Sequence, residues 1–239
     1  MKRELSSLPR CADSSQSCND NPLIPCSLLP APCPLICGID EAGRGPLAGP
    51  VCAAAVVLPE DFPAALLDDS KKLTAKRREE LRRIITDGAI AWGIGWATHT
   101  EIDTINILQA SLLAMKRAFD FLLAPAGRLW PDKLETEAPF GRPLVPPALP
   151  AAVSAVADGL HVPDLPIPCK ALVKADASVP QVMAASILAK TARDQLMEHY
   201  GSLYPQYGYE RHKGYPTKNH RELVLKHGPS PIQRLSFRV

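Results

Sequence analysis

Residues 1–34 carry Ser, Asn, Pro and Cys with no apolar period, and the pattern of a folded core begins only at Leu35. We read the first 34 residues as a disordered or loosely packed extension. Leu35-Ile36-Cys37-Gly38-Ile39 is a short apolar run that stops at Asp40-Glu41, and Val51-Cys52-Ala53-Ala54-Ala55-Val56-Val57-Leu58 is a second, closed by Pro59. Unbroken apolar runs of this length, joined by a glycine-rich turn, predict two buried strands. A third strand is expected over 89–98. Ahead of it, Thr74 can cap a helix whose Leu81, Ile84 and Ile85 share one face and which Gly88 stops. Leu108, Leu112, Met115, Phe119 and Leu122 step by 4, 3, 4 and 3, one apolar stripe of a further helix. Two more strands are expected over 152–157 and 169–173, a long helix from about 180 to about 203, and a shorter one from 217 to 227 ahead of Gly228-Pro229. Strands and helices intermix, so the class is α/β with a single mixed sheet.

Composition changes the picture in one respect. Of the 239 residues 46% are hydrophobic and 22% charged, ordinary for a chain that buries a core, but 25 are proline. Six prolines lie in residues 1–34 and seven in 125–150, whereas residues 64–124 contain none. Proline fixes φ and removes a backbone donor, so neither rich segment can supply a helix interior or a central strand. This divides the chain into the extension, residues 1–34, and one domain, 35–239, with a proline-rich insert at about 125–150. Cysteine is skewed likewise: five of seven fall in the first 37 residues. An odd total without paired zinc-site spacing points to a reducing compartment. The start Met-Lys-Arg-Glu-Leu lacks an apolar leader, and five prolines break the uncharged run 21–39. The expectation is a soluble cytoplasmic protein that does not enter a membrane.

Charge is nearly balanced, 27 Lys and Arg against 25 Asp and Glu, but residues 170–239 hold 11 basic and 5 acidic side chains, net +6, leaving net −4 for the rest. A basic C-terminal third suits a polyanion such as nucleic acid, although charge alone more often marks a solvated helix face. The acids fall at informative places. Asp40 and Glu41 end the first expected strand, Asp158 ends the fourth, and Asp176 follows the fifth. Ligands of α/β sheets collect at strand ends, where these four carboxylates could meet. Oxygen donors without convergent His or Cys suit Mg²⁺ or Mn²⁺. Two such ions about 4 Å apart clamp the attacking and leaving oxygens of a phosphodiester displacement. A lone Asp-Glu pair, by contrast, is usually a polar stop after a strand. Gly43-Arg44-Gly45 leaves a backbone open to close approach by a ligand, and no Walker A lysine follows it.

The run Ile39-Asp40-Glu41-Ala42-Gly43-Arg44-Gly45-Pro46-Leu47-Ala48-Gly49-Pro50-Val51 closely resembles the signature of ribonuclease HII. Similar blocks follow in the family's order. They are Asp69-Ser70-Lys71-Lys72-Leu73, Glu101-Ile102-Asp103 with Asn106-Ile107-Leu108, and Val173-Lys174-Ala175-Asp176. Ala184-Ala185-Ser186-Ile187-Leu188-Ala189-Lys190 with Arg193-Asp194, Tyr204-Pro205-Gln206-Tyr207-Gly208, His212-Lys213-Gly214-Tyr215-Pro216-Thr217 and Arg234-Leu235-Ser236-Phe237 complete the series. The resemblance implies a ribonuclease H-like fold: a five-stranded mixed sheet flanked by helices, with a mostly helical C-terminal part. It implies an endonuclease that cuts the RNA strand of RNA–DNA hybrids, including 5′ of single ribonucleotides in duplex DNA, leaving 5′-phosphate and 3′-hydroxyl ends. By the same resemblance Asp40, Glu41, Asp158 and Asp176 hold two Mg²⁺ or Mn²⁺ ions. Gly43, Arg44 and Gly45 read a 2′-hydroxyl, and Tyr215 stacks on the next deoxyribose. Lys174, Lys190, His212 and Lys213 are placed near phosphates. A monomer is expected, with the extension and the insert lying away from the metals. Two other readings remain open, a ribonuclease HIII-like enzyme and a metal-free nucleic-acid-binding module; 34 proline-rich residues cannot build the folded N-terminal domain of the former.

Overall fold

The computed structural model describes residues 35–123, 140–142 and 153–238. The extension and all but three residues of the proline-rich insert lie outside the described residues. Strand β1 (Leu35–Ala42) pairs antiparallel with β2 (Val51–Val57), which pairs antiparallel with β3 (Ala91–Ala97). On its other side β1 pairs in parallel with β5 (Val153–Asp158), and β5 with β6 (Cys169–Leu172). All five expected strands are there. A sixth, β4 (Phe140–Arg142), adds antiparallel to β3 and gives the order β4-β3-β2-β1-β5-β6. It is the triplet between Pro139 and Pro143, and a strand that short is confined to a sheet edge.

Helices cover both faces. β2 and β3 send Cys52, Ala54, Val56, Trp92, Ile94 and Trp96 to one side, against Leu81 and Ile85 of α1 (Ala75–Gly88) and the apolar face of α3 (Pro180–Leu203). On the other side Ile39, Ala53, Ala55 and Ala157 meet Ala114, Ala118 and Phe119 of α2 (His99–Leu122). Burial on both faces explains why the strands read as unbroken apolar runs. Two glycines set the spacing. A Cβ on Gly95 would run into the backbone of α2 at Ala114, and one on Gly38 into the backbone of α3 at Gln181 and Val182. Without side chains there, both helices lie directly on the strands.

Thr74 caps α1 as expected, its Oγ1 accepting from the Arg77 amide at 3.2 Å. α2 begins at His99, more than two turns before its apolar stripe. Thr98 and Glu101 form a capping box, and Asn106 at φ +68° breaks the helix while its Oδ1 caps the second part through Leu108 and Gln109. The C-terminal part is helical, with α3, the single turn α4 (Tyr209–His212) and α5 (Lys218–His227). No helix among the described residues is long and apolar enough to cross a membrane. Cys37, Cys52 and Cys169 form no disulfide among the described residues.

Candidate active site

The parallel register pairs Ile39 with Ala157, so Asp40 and Asp158 stand one step further along adjacent strands. Asp40 shares the face of Gly38 and turns toward α3. Its Oδ1 accepts from the Glu41 amide at 2.7 Å, and the Ser186 hydroxyl of α3, which shares a 2.8 Å bond with Ser70 Oγ, stands near enough to favour its charged form. Burial, reinforced by the charge of Glu41, pushes its carboxyl well above the usual carboxylate range despite these bonds. Glu41 is raised as well, by burial, although Arg44 Nη1 at 3.3 Å from its Oε1 pulls the other way. Its Oε2 is buried without a hydrogen-bond partner among the described residues. Asp158 Oδ1 accepts from the amide of Ala175 at 2.8 Å, which ties the end of β5 to the 3₁₀ turn Ala175–Ala177. That turn carries Asp176, 5% exposed, whose Oδ2 accepts from Lys71 Nζ at 2.8 Å. The bond to Asp176 raises the Lys71 ammonium, and the charge of Asp40 adds to it.

Asp40, Glu41 and Asp158 thus open into one cleft of about 230 Å³, which Gly43–Gly45, Lys190 and Tyr215 also line. Asp176 joins them through Lys71. In this arrangement no three Asp, Glu, His or Cys side chains among the described residues stand close enough together to enclose an ion. The donor set nevertheless fits a hard divalent cation: it is all carboxylate oxygen, Glu41 Oε2 is buried with no hydrogen-bond partner among the described residues, and burial disfavours the charged forms of Asp40 and Glu41, a cost that a bound cation would offset.

The opposite wall is built from the glycine loop that follows β1. Gly43 sits at φ +97°, and a Cβ there would collide with the Arg193 side chain. Two buried guanidinium groups fasten the loop by its carbonyls. Arg193 donates to Pro50 O at 3.0 Å, Ala48 O at 3.2 Å and Lys213 O at 3.0 Å. Arg234 donates to Gly49 O at 2.8 Å, Arg44 O at 3.0 Å and Gly43 O at 2.7 Å. The Tyr215 ring lies over Gly45, 3.8 Å from where a Cβ would stand, and is 40% exposed.

The remaining sequence candidates separate. Lys190 lines the cleft, with Nζ 2.7 Å from Asp194 Oδ1 and 5.7 Å from the Tyr215 ring centroid. Lys174, in the left-handed region, leads into the turn bearing Asp176 and is exposed. His212 is buried beneath the Tyr215 loop instead of lining the cleft. Its Nε2 meets Tyr207 O at 2.8 Å, and its Nδ1 accepts from the Gly214 amide at 3.2 Å. Lys213 Nζ turns to Glu198 Oε1 at 2.7 Å. Sequence reasoning left four side chains of the site without a role: Lys71, Ser186, Arg193 and Arg234. All four lie inside the motif blocks, but a block shows that a residue matters without showing what it touches.

The family model for ribonuclease HII matches residues 37–239. Among curated proteins, a ribonuclease HII of Treponema denticola is 53% identical over 211 residues, covering 86% of this chain and 98% of that protein. One of Dechloromonas aromatica is 46% identical over 209 residues, covering 87% and 93%. Among solved structures, the ribonuclease H2 of Pyrococcus horikoshii superposes with a TM-score of 0.59 at 25% identity, covering 85% of this chain and 94% of that one. Bst-RNase HIII in complex with Mn²⁺ gives 0.57 at 15% identity over 80% and 70%, a likeness of fold. The acid cleft and its glycine loop, set on this sheet, therefore belong to a ribonuclease H enzyme, and the chain is a member of the ribonuclease HII family.

Proposed function

We propose that the chain is an endonuclease that hydrolyses the RNA strand of RNA–DNA hybrids and cuts 5′ of single ribonucleotides in duplex DNA, by a two-metal-ion mechanism leaving 5′-phosphate and 3′-hydroxyl ends. The observation that carries this reading is the convergence of Asp40, Glu41 and Asp158 with Gly43–Gly45 and Tyr215 in one cleft. Asp40, Glu41, Asp158 and Asp176 would hold the divalent ions, Mg²⁺ or Mn²⁺. When bound, such ions supply Lewis acidity and an activated water.

The chain's own groups do the rest. Burial destabilises the anions of Asp40 and Glu41, and neighbouring carboxylates add to it, Glu41 and Asp158 for Asp40 and Asp158 for Glu41; a bound cation would relieve that repulsion. The Glu41 amide orients Asp40 and the Ala175 amide orients Asp158. Backbone groups of Gly43–Gly45 can bond a 2′-hydroxyl, the group that distinguishes RNA from DNA. The exposed Tyr215 ring next to them offers a flat apolar surface to a sugar that has no 2′-hydroxyl to clash. Lys190 and Lys174 stand where they can meet phosphates.

One assay tests the whole reading. A duplex with one ribonucleotide and a continuous hybrid are each incubated with Mg²⁺ and with Mn²⁺, and the product ends are mapped. Incision 5′ of the ribonucleotide with a 3′-hydroxyl left behind is expected; no cleavage of either substrate with either ion overturns it.

A further inference from the structure

We infer that Arg234 is a positioning residue for substrate selection: its buried guanidinium holds two consecutive peptide planes of the glycine loop so that their amides face the cleft. The inference rests on the proposed reading of that loop as the reader of a 2′-hydroxyl, and deepens it by naming what makes the reader rigid.

A trans peptide is planar, with its C=O and N–H pointing in opposite directions. Arg234 Nη2 takes the carbonyl of Gly43 and Nη1 that of Arg44. The Arg44 and Gly45 amides, on the far side of those two planes, are turned away from the guanidinium. Neither has a backbone acceptor among the described residues, while Gly43, Arg44 and Gly45 line the cleft. Two adjacent free amides at a residue pair following a left-handed glycine form a concavity that favours a hydroxyl or phosphate oxygen. Nε closes the far end of the loop on Gly49 O. Lysine could not substitute, because a single ammonium cannot present three donors in a fixed fork.

The segment that carries Arg234 is bonded both to the loop and to α2. Its amide donates to Leu47 O at 2.9 Å, and Ile232 O accepts from Gly49. Beyond it the chain is fastened to α2 by Asp103, whose carboxylate accepts from the amides of Leu235 and Ser236 at 2.9 Å and from Ser236 Oγ at 2.5 Å. The loop conformation is therefore set by a line of bonds from α2 through the C-terminal turn to Arg234. Asp103 lines no part of the cleft.

The experiment measures binding of two duplexes, one with a single ribonucleotide and one all DNA, by fluorescence anisotropy with Ca²⁺ present. The readout is the ratio of their affinities. Arg234→Lys is expected to lower this ratio about tenfold, in keeping with two lost hydrogen bonds, while the affinity for the all-DNA duplex holds. Asp103→Ala, a change at a half-buried position outside the cleft that loosens the same line from its far end, is expected to lower it about twofold in a protein that still unfolds cooperatively. It decides the matter if Arg234→Lys does not fold. A wild-type ratio above one that neither folded variant changes, or an equal loss on both duplexes, overturns the positioning role. A wild-type ratio of one would instead sink the 2′-hydroxyl reading of the loop, and this inference with it.

Discussion

The two walls of the cleft are built on opposite principles. On the acid wall the groups are poorly satisfied: Asp40 is raised by burial and by the charges of Glu41 and Asp158, Glu41 by burial and by the charge of Asp158, and Glu41 Oε2 has no partner among the described residues. On the glycine wall the backbone is overdetermined, with five guanidinium-to-carbonyl bonds fixing the eight-residue loop from Gly43 to Pro50. The difference matches what each wall would do on the proposed reading. A site that must attract cations keeps anions short of partners, whereas a site that must read one hydroxyl keeps its donors in a fixed place before the ligand arrives.

The contrast can be broken at three points. The largest effect is expected from Gly43→Ala, which forces a side chain into the left-handed region and against Arg193. It should cost about 1–3 kcal/mol of stability, measured by denaturant unfolding, and abolish preference for a ribonucleotide-containing duplex. A smaller effect concerns pH. His212 and His220 stack at 4.3 Å between centroids beneath the Tyr215 loop, and His220 Nδ1 meets Tyr215 O at 3.0 Å. Burial first, with the charge of neighbouring groups, lowers both below the ordinary value of 6.5. The unfolded chain then binds more protons just below 6.5, so the stability these rings contribute is present above that value and is lost as pH falls through it. Thermal unfolding followed from pH 8 to pH 5 should show the decline, and His220→Phe should flatten it. The smallest effect is expected on the acid wall. Lys71 is largely exposed and its partner Asp176 is not, so Lys71→Ala should destabilise the metal-free protein by no more than about 1 kcal/mol. Saturating Mn²⁺ should erase the difference; a loss that persists would mean that Lys71 is needed for the fold and not as a counter-charge.

Much of this was legible in the sequence because burial leaves a periodic trace. The apolar runs at Leu35 and Val51 and the stripe from Leu108 to Leu122 are core, and the acids that end the strands lie where strand ends gather ligands. Other features left no such trace. The basic C-terminal third reads as a surface for phosphates, yet Arg193 and Arg234 are buried and spend their donors on carbonyls. Lys213 and Lys190 are paired with Glu198 and Asp194. Net charge records how many cations there are and says nothing about which way they face. β4 was hidden for a related reason: three residues between prolines carry no period, and only the open edge of β3 makes them a strand. The break at Asn106 depends on a side chain capping its own helix, a local bond that the apolar spacing does not register.

The central claim is that the carboxylates at the ends of β1 and β5 carry the chemistry. Its most direct test is the single-turnover rate on a duplex with one ribonucleotide for Asp40→Asn, a near-isosteric change at a group that is buried and already disfavoured as an anion. The account predicts a folded protein, at least as stable as the parent, whose cleavage falls by about a hundredfold or more. Cleavage at the parent's rate would contradict it.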